Sequence, residues 1–120
     1  MTDVPIVQAS YDDPKLKATI VEAQKRWPEF AAAFAKRRPG QTFGVKLQFV
    51  DGEDEEFMWA IVESIQGDTI RGVLDNSPAV VKNIKSGDAV TAVRKDVLDW
   101  MYDEGDEMRG GFSLKVLSGQ

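Results

Sequence analysis

Cysteine and histidine are both absent from the 120 residues, and each absence closes off chemistry. Without thiols there is no disulfide, cysteine nucleophile or thiolate metal site; without imidazole there is no neutral-pH general base and no simple pH switch. Zinc, haem and iron–sulfur centres are not expected. Oxygen-ligated Mg²⁺ or Ca²⁺ is the metal chemistry left, and acid–base work falls to carboxylates, lysine or tyrosine. Positive charge is scarce too: 15 Lys and Arg stand against 20 Asp and Glu, a net charge of −5. That balance repels a phosphate backbone, and with no concentrated basic face, nucleic-acid binding is not expected. Long apolar runs are also missing. Met1 to Val7 carry neither a basic n-region nor a signal-length apolar stretch, so the expectation is a cytoplasmic protein away from membranes.

What is present is an ordinary globular composition, 42% apolar and 29% charged, at a length that suits one domain over residues 1–120. Asp12-Asp13-Pro14 reads as a helix start, with a carboxylate to accept an unpaired N–H and proline where no donor is needed. Leu16, Ile20, Ala23, Trp27, Phe30 and Phe34 then recur at steps of four and three and share one face, with a kink or restart expected near Pro28. Lys36-Arg37-Arg38 before Pro39-Gly40 suits a helix C-terminus better than a nucleic-acid patch. The helical part spans about 13–38 and the sheet part about 42–117.

From Phe43 the period changes to two. Phe43, Val45, Leu47 and Phe49 alternate with Gly44, Lys46 and Gln48; after Asp51-Gly52, Phe57, Trp59 and Ile61 continue a second strand towards Ile65. Thr69 to Leu74 forms a third strand, in which Gly72 allows a bulge or a close backbone approach. Asp75-Asn76-Ser77-Pro78 makes a corner, Ala89 to Val93 a short strand, and Asp96 to Tyr102 a helical turn leading into a strand. Phe112, Leu114 and Val116 alternate to the end as a last strand. The fold class is α+β: a helix, split or kinked, on a curved, mainly antiparallel sheet of about five to six short strands, with a half-closed barrel as the alternative.

Phe43 to Trp59, Gly72 to Pro78, Lys85 to Val90, and Asp99-Trp100-Met101-Tyr102 with Gly110-Gly111-Phe112 together resemble the YegJ-like family of uncharacterised bacterial proteins. The resemblance runs from about Pro28 to Phe112, and Asp-Trp-Met-Tyr is its strongest part. It implies a domain of unknown function with no catalytic or ligand residues to carry over. Some relatives carry a secretion signal, so localisation is not borrowed from them. Similar domains also occur fused to other modules, which fits a binding role.

Several residue sets invite a site. Asp51, Glu53, Asp54, Glu55 and Glu56 could bind a hard cation, but the spacing does not match an EF-hand loop, and a solvated hairpin tip is preferred. Asp99, Asp103, Glu104, Asp106 and Glu107 beside Trp100 and Tyr102 weakly suggest carboxylate catalysis. Trp59 is expected in the core against Trp27, Phe30 and Phe34. Lys46 and Arg71 are expected to point outward. Gly110-Gly111 lack a following helix pattern and are read as backbone clearance beside Trp100 or Tyr102.

No catalytic, cofactor or metal residues are assigned. The preferred reading is a non-enzymatic module whose partner is another protein, met by a surface of Asn76, Pro78, Asp99, Trp100, Tyr102 and Phe112. The alternatives are an immunity or antitoxin-like protein that neutralises a basic toxin, a carboxylate- or Mg²⁺-dependent hydrolase using Asp99 and Asp103, and a small-molecule sensor with its ligand between sheet and helices at Trp27, Phe34 and Trp59.

Overall fold

The computed structural model describes residues 13–117, so the reading of Met1 to Val7 and of Asp12 lies outside the described residues. Helix α1 (Pro14–Lys25) begins as its sequence requires: the Asp13 carboxylate accepts the Lys15 N–H at 2.9 Å, and Pro14 opens the first turn. Arg26 separates it from α2 (Trp27–Ala35), whose second residue is Pro28, so the expected break falls just before the proline. Arg37 follows α2, donates to the Phe34 carbonyl at 2.9 Å and lies over the Phe34 ring at 3.9 Å, a C-terminal capping role.

Six strands follow: β1 (Phe43–Asp51), β2 (Asp54–Gln66), β3 (Thr69–Leu74), β4 (Ala89–Val93), β5 (Asp99–Glu104) and β6 (Glu107–Gly110). They form one antiparallel sheet in the order β4-β3-β2-β1-β5-β6. Three of its hairpins turn on the same chemistry, a glycine at positive φ followed by an acid: Gly52-Glu53, Gly67-Asp68 and Gly105-Asp106. The register shifts between Val62 and Ser64 opposite Gly72, the irregularity expected of that glycine.

A 3₁₀ turn at Arg94–Asp96 links β4 to β5, which lie four strand spacings apart in the sheet order. A flat sheet would separate them by about 19 Å at about 4.8 Å per spacing. A connection this short, tightened by a turn rising only about 2 Å per residue, spans about 15 Å. The sheet is therefore curved, but it is not closed, and the half-closed barrel gives way to an open sheet with β4 and β6 at its ends.

The inner face of the sheet carries Phe43, Val45, Leu47, Met58, Ala60, Val62, Ile70, Leu74, Trp100 and Tyr102, all buried against the helices and loops. Phe30 on α2 sits at the hub, its ring centroid 5.0 Å from Trp27, 5.5 Å from Phe43 and 5.3 Å from Trp100. Ala23, Trp27, Phe30 and Phe34 of the expected stripe thus join the core with the sheet, while Leu16 is buried outside that cluster and Ile20 is half-buried. Burial of this stripe and the facing strands supplies most of the drive to fold, at about 25 cal/mol per Å² of apolar surface.

Two strand readings are corrected. The buried phase of β2 is Glu56, Met58, Ala60 and Val62, so Phe57, Trp59 and Ile61 lie on the other face. Phe112 to Leu117 is a short helix, α3, and not a strand, because two successive glycines at positive φ, Gly110 and Gly111, end β6 and turn the chain.

Candidate functional site

Trp100 is 0% and Tyr102 6% exposed, which corrects the expectation that they meet a partner. The Trp100 indole N–H donates to the Ala23 carbonyl at 2.9 Å, satisfying an acceptor in the last turn of α1 that the helix leaves open. Gly110 explains how β6 reaches this ring: a Cβ there would lie 2.2 Å from the Trp100 carbonyl oxygen and 2.6 Å from its Cε3. The clearance reading of Gly110 is therefore correct beside Trp100.

Asp99 is buried as well, and its carboxylate is spent on backbone. It accepts the N–H groups of Trp100 at 2.8 Å, Phe112 at 3.1 Å and Ser113 at 2.9 Å, and the Ser113 hydroxyl at 2.5 Å. Asp99 thus supplies the first turn of α3 with its acceptor from a separate strand. Burial pushes its pKa upward, against the opposing pull of the hydrogen bonds from Ser113, Trp100 and Phe112.

Lys46 stands opposite Asp99 on one side and Trp59 on the other in the strand register, so it lies on the outer face its alternation assigned, but at 3% exposed it is covered and not solvated as expected. Burial lowers its pKa to about 8, partly offset by attraction to Asp99. Arg71 is exposed, as expected, and lies two strands away from Lys46.

Among the acidic residues of the β1–β2 tip, Glu56 is 0% exposed and Asp51 is partly covered, so the solvated-tip reading fails for these two. The N–H groups of Ala79, Val80 and Val81 donate to Glu56 at 2.8, 2.8 and 3.0 Å, and the Lys82 N–H donates to Asp51 at 2.8 Å. Asn76 accepts the Trp59 N–H at 2.6 Å, and the Asn83 amide donates to the Val50 carbonyl at 2.9 Å. These ties hold the connection 75–88 across the hairpin end and place Val81 and Ile84 in the core. Among the described residues no group of three or more acidic side chains is placed to hold a metal.

An apolar hollow lies on the outer face. Gly44 forms the floor of a groove of about 240 Å³ lined by Thr42, Trp59, Ile61, Met101, Met108, Asp75 and Asp103. Trp59 lies over the floor, where a Cβ at Gly44 would come into van der Waals contact with Trp59 Cε3 at 3.4 Å. Ile61 and Met101 flank Gly44 in the register, and Met108 is 59% exposed opposite Asp103. A larger hollow of about 440 Å³ at Gln24, Asp68, Val93, Arg94 and Lys95 lacks an aromatic wall, and its Gln24 amide is committed to the Arg94 and Val97 carbonyls.

Sequence reasoning placed Trp59 in the core and missed Gly44, Ile61, Met101, Met108 and Asp75. The signal was available: Phe57, Trp59 and Ile61 alternate with Met58, Ala60 and Val62, so both phases of β2 are apolar. Of the expected partner surface, Asn76, Pro78 and Phe112 are partly exposed, and none of them lines the groove. Trp27 and Phe34 lie on the face opposite Trp59, so the three do not converge on a ligand space.

A two-layer α+β domain, with buried carboxylates capping loops and a groove on the sheet face opposite the α1–α2 core, is the class these features define. A family described as an uncharacterized protein conserved in bacteria (DUF2314) matches residues 13–120, and the chain belongs to it. It is 29% identical over 112 residues to Uncharacterized protein YegJ of Escherichia coli, covering 93% of this chain and 72% of that protein. It is also 36% identical over 75 residues to a putative ankyrin repeat protein of Neisseria meningitidis serogroup B, covering 60% of this chain and 30% of that protein. No solved structure matches the chain. Among the described residues no helix is long and apolar enough to cross a membrane.

Proposed function

We propose that this domain is a non-enzymatic protein-binding module that engages its partner through the outer face of the sheet. The observation that carries the reading is the groove over Gly44, where Trp59, Ile61, Met101 and Met108 offer an aromatic ring, a branched chain and two thioethers on the sheet face opposite the α1–α2 core. Aromatic and methionine side chains are the types enriched where proteins meet, and thioethers adapt to varied contours. The occurrence of a matching segment in a protein named for ankyrin repeats also favours a role in interaction. A cysteine-free chain suits the cytoplasmic setting included in this reading.

The hydrolase alternative draws less support, because the Asp99 carboxylate is turned onto α3 while Asp103 borders the groove. The test is quantitative affinity capture with the wild-type protein and Trp59→Ala/Met108→Asp as paired baits. Partners recovered by the first and lost with the second are expected; identical recoveries from both would remove the outer face from consideration.

A further inference from the structure

The charges around the groove narrow the partner class. Among the described residues its only charged lining residues are Asp75 and Asp103, which stand at opposite ends: Asp75 follows β3 beside Trp59, and Asp103 lies on β5 beside Met108. Among the described residues neither forms an ion pair, and Asp103 uses one carboxylate oxygen to accept the Thr42 N–H at 2.6 Å. Glu104 and Glu107 of the same hairpin differ, since both pair with Arg109. Lys46, the nearest cation along β1, is buried with its charge set against Asp99.

Resting on the outer-face reading, we infer that the groove takes an extended cationic segment of a partner protein, with Lys or Arg side chains flanking an apolar one. The apolar residue would lie over Gly44 between Ile61 and Met101. One cation would place its aliphatic stem on the Trp59 ring, within reach of the Asp75 carboxylate, and the second would meet Asp103. Each ring, thioether and carboxylate then has a complement, and the net charge of −5 speeds the encounter with a basic partner.

The experiment is a two-dimensional NMR titration of the isotope-labelled chain with three synthetic peptides, Arg-Ser-Leu-Ser-Arg, Glu-Ser-Leu-Ser-Glu and Arg-Ser-Ser-Ser-Arg, followed at the Gly44 amide, the Trp59 indole and the Met101 and Met108 methyls. The first peptide is expected to shift this set and to bind at least tenfold more tightly than either of the others. Asp75→Asn/Asp103→Asn, which keeps an acceptor for the Thr42 N–H, is expected to weaken it at least tenfold, and added salt is expected to weaken it further. Equal shifts with the acidic peptide, or no loss in the double variant, would overturn the cationic class while leaving the outer-face module standing. If no peptide moves these signals, the cationic inference fails, and the paired-bait capture separately decides the fate of the module.

Discussion

The two faces of this sheet are built from the same alternating strands, and both carry large apolar side chains, yet they have opposite fates. The inner phase, with Phe43, Val45, Met58, Trp100 and Tyr102, is closed by α1, α2 and the connections 75–88 and 94–98. The outer phase, with Phe57, Trp59, Ile61 and Met101, is only partly covered and bordered by acids. Apolar alternation states that a strand has a face to bury; it does not state which face when both qualify.

The largest effect should come from breaking the inner face. Trp100→Ala removes a fully buried ring and the donor to the Ala23 carbonyl, and a loss of about 3–5 kcal/mol is expected in denaturant unfolding. Glu56→Ala should follow at about 3 kcal/mol, because three neighbouring N–H groups lose one charged acceptor. Glu56→Gln, which keeps an oxygen, should recover part of that loss by the same measurement.

Lys46 sharpens the comparison through pH. Below pH 8 its amine is charged in both folded and unfolded chains, and the cost of burying the charge is present in full. Between its folded pKa of about 8 and the ordinary lysine value of 10.5 the folded chain gives up the proton first, so the unfolded chain holds more protons and stability rises with pH. Relative to Lys46→Met, the wild type should gain about 2–3 kcal/mol between pH 7 and pH 10, read from paired urea midpoints. A parallel pair of curves would mean that the amine reaches water.

The smallest stability effect belongs to the outer face. Trp59→Ala should cost about 1 kcal/mol, since a half-covered ring leaves little cavity behind, and under the proposed outer-face role it should also weaken peptide binding in the NMR titration. A loss as large as that of Trp100→Ala would show the ring to be a core element after all.

Much of the fold was legible because local rules and tertiary structure agree. Asp13-Pro14 opened α1, Pro28 marked the break, glycine-acid pairs made the hairpins, and Ala89–Val93 and Thr69–Leu74 formed strands with the limits expected. What was not legible depended on distant partners. α3 has six residues, too few to display a helical period, and its N–H groups are capped by Asp99 on β5, so Phe112, Leu114 and Val116 passed for a strand. Lys46 and Glu56 looked solvated because charge usually is, and only the closed structure supplies the groups that surround them. The groove itself depended on strand order: Gly44 becomes a floor only once β2 and β5 flank β1.

The carboxylates that hold the connection between β3 and β4 have an engineering consequence. Long stretches without helix or strand are ordinarily the places to graft a tag, insert a reporter or open new chain ends. Here Ala79 to Lys82 are matched one amide at a time to oxygens on the neighbouring hairpin, so a single added residue would put the whole run out of step. The turn at Gly105-Asp106, short as it is, offers the safer splice point.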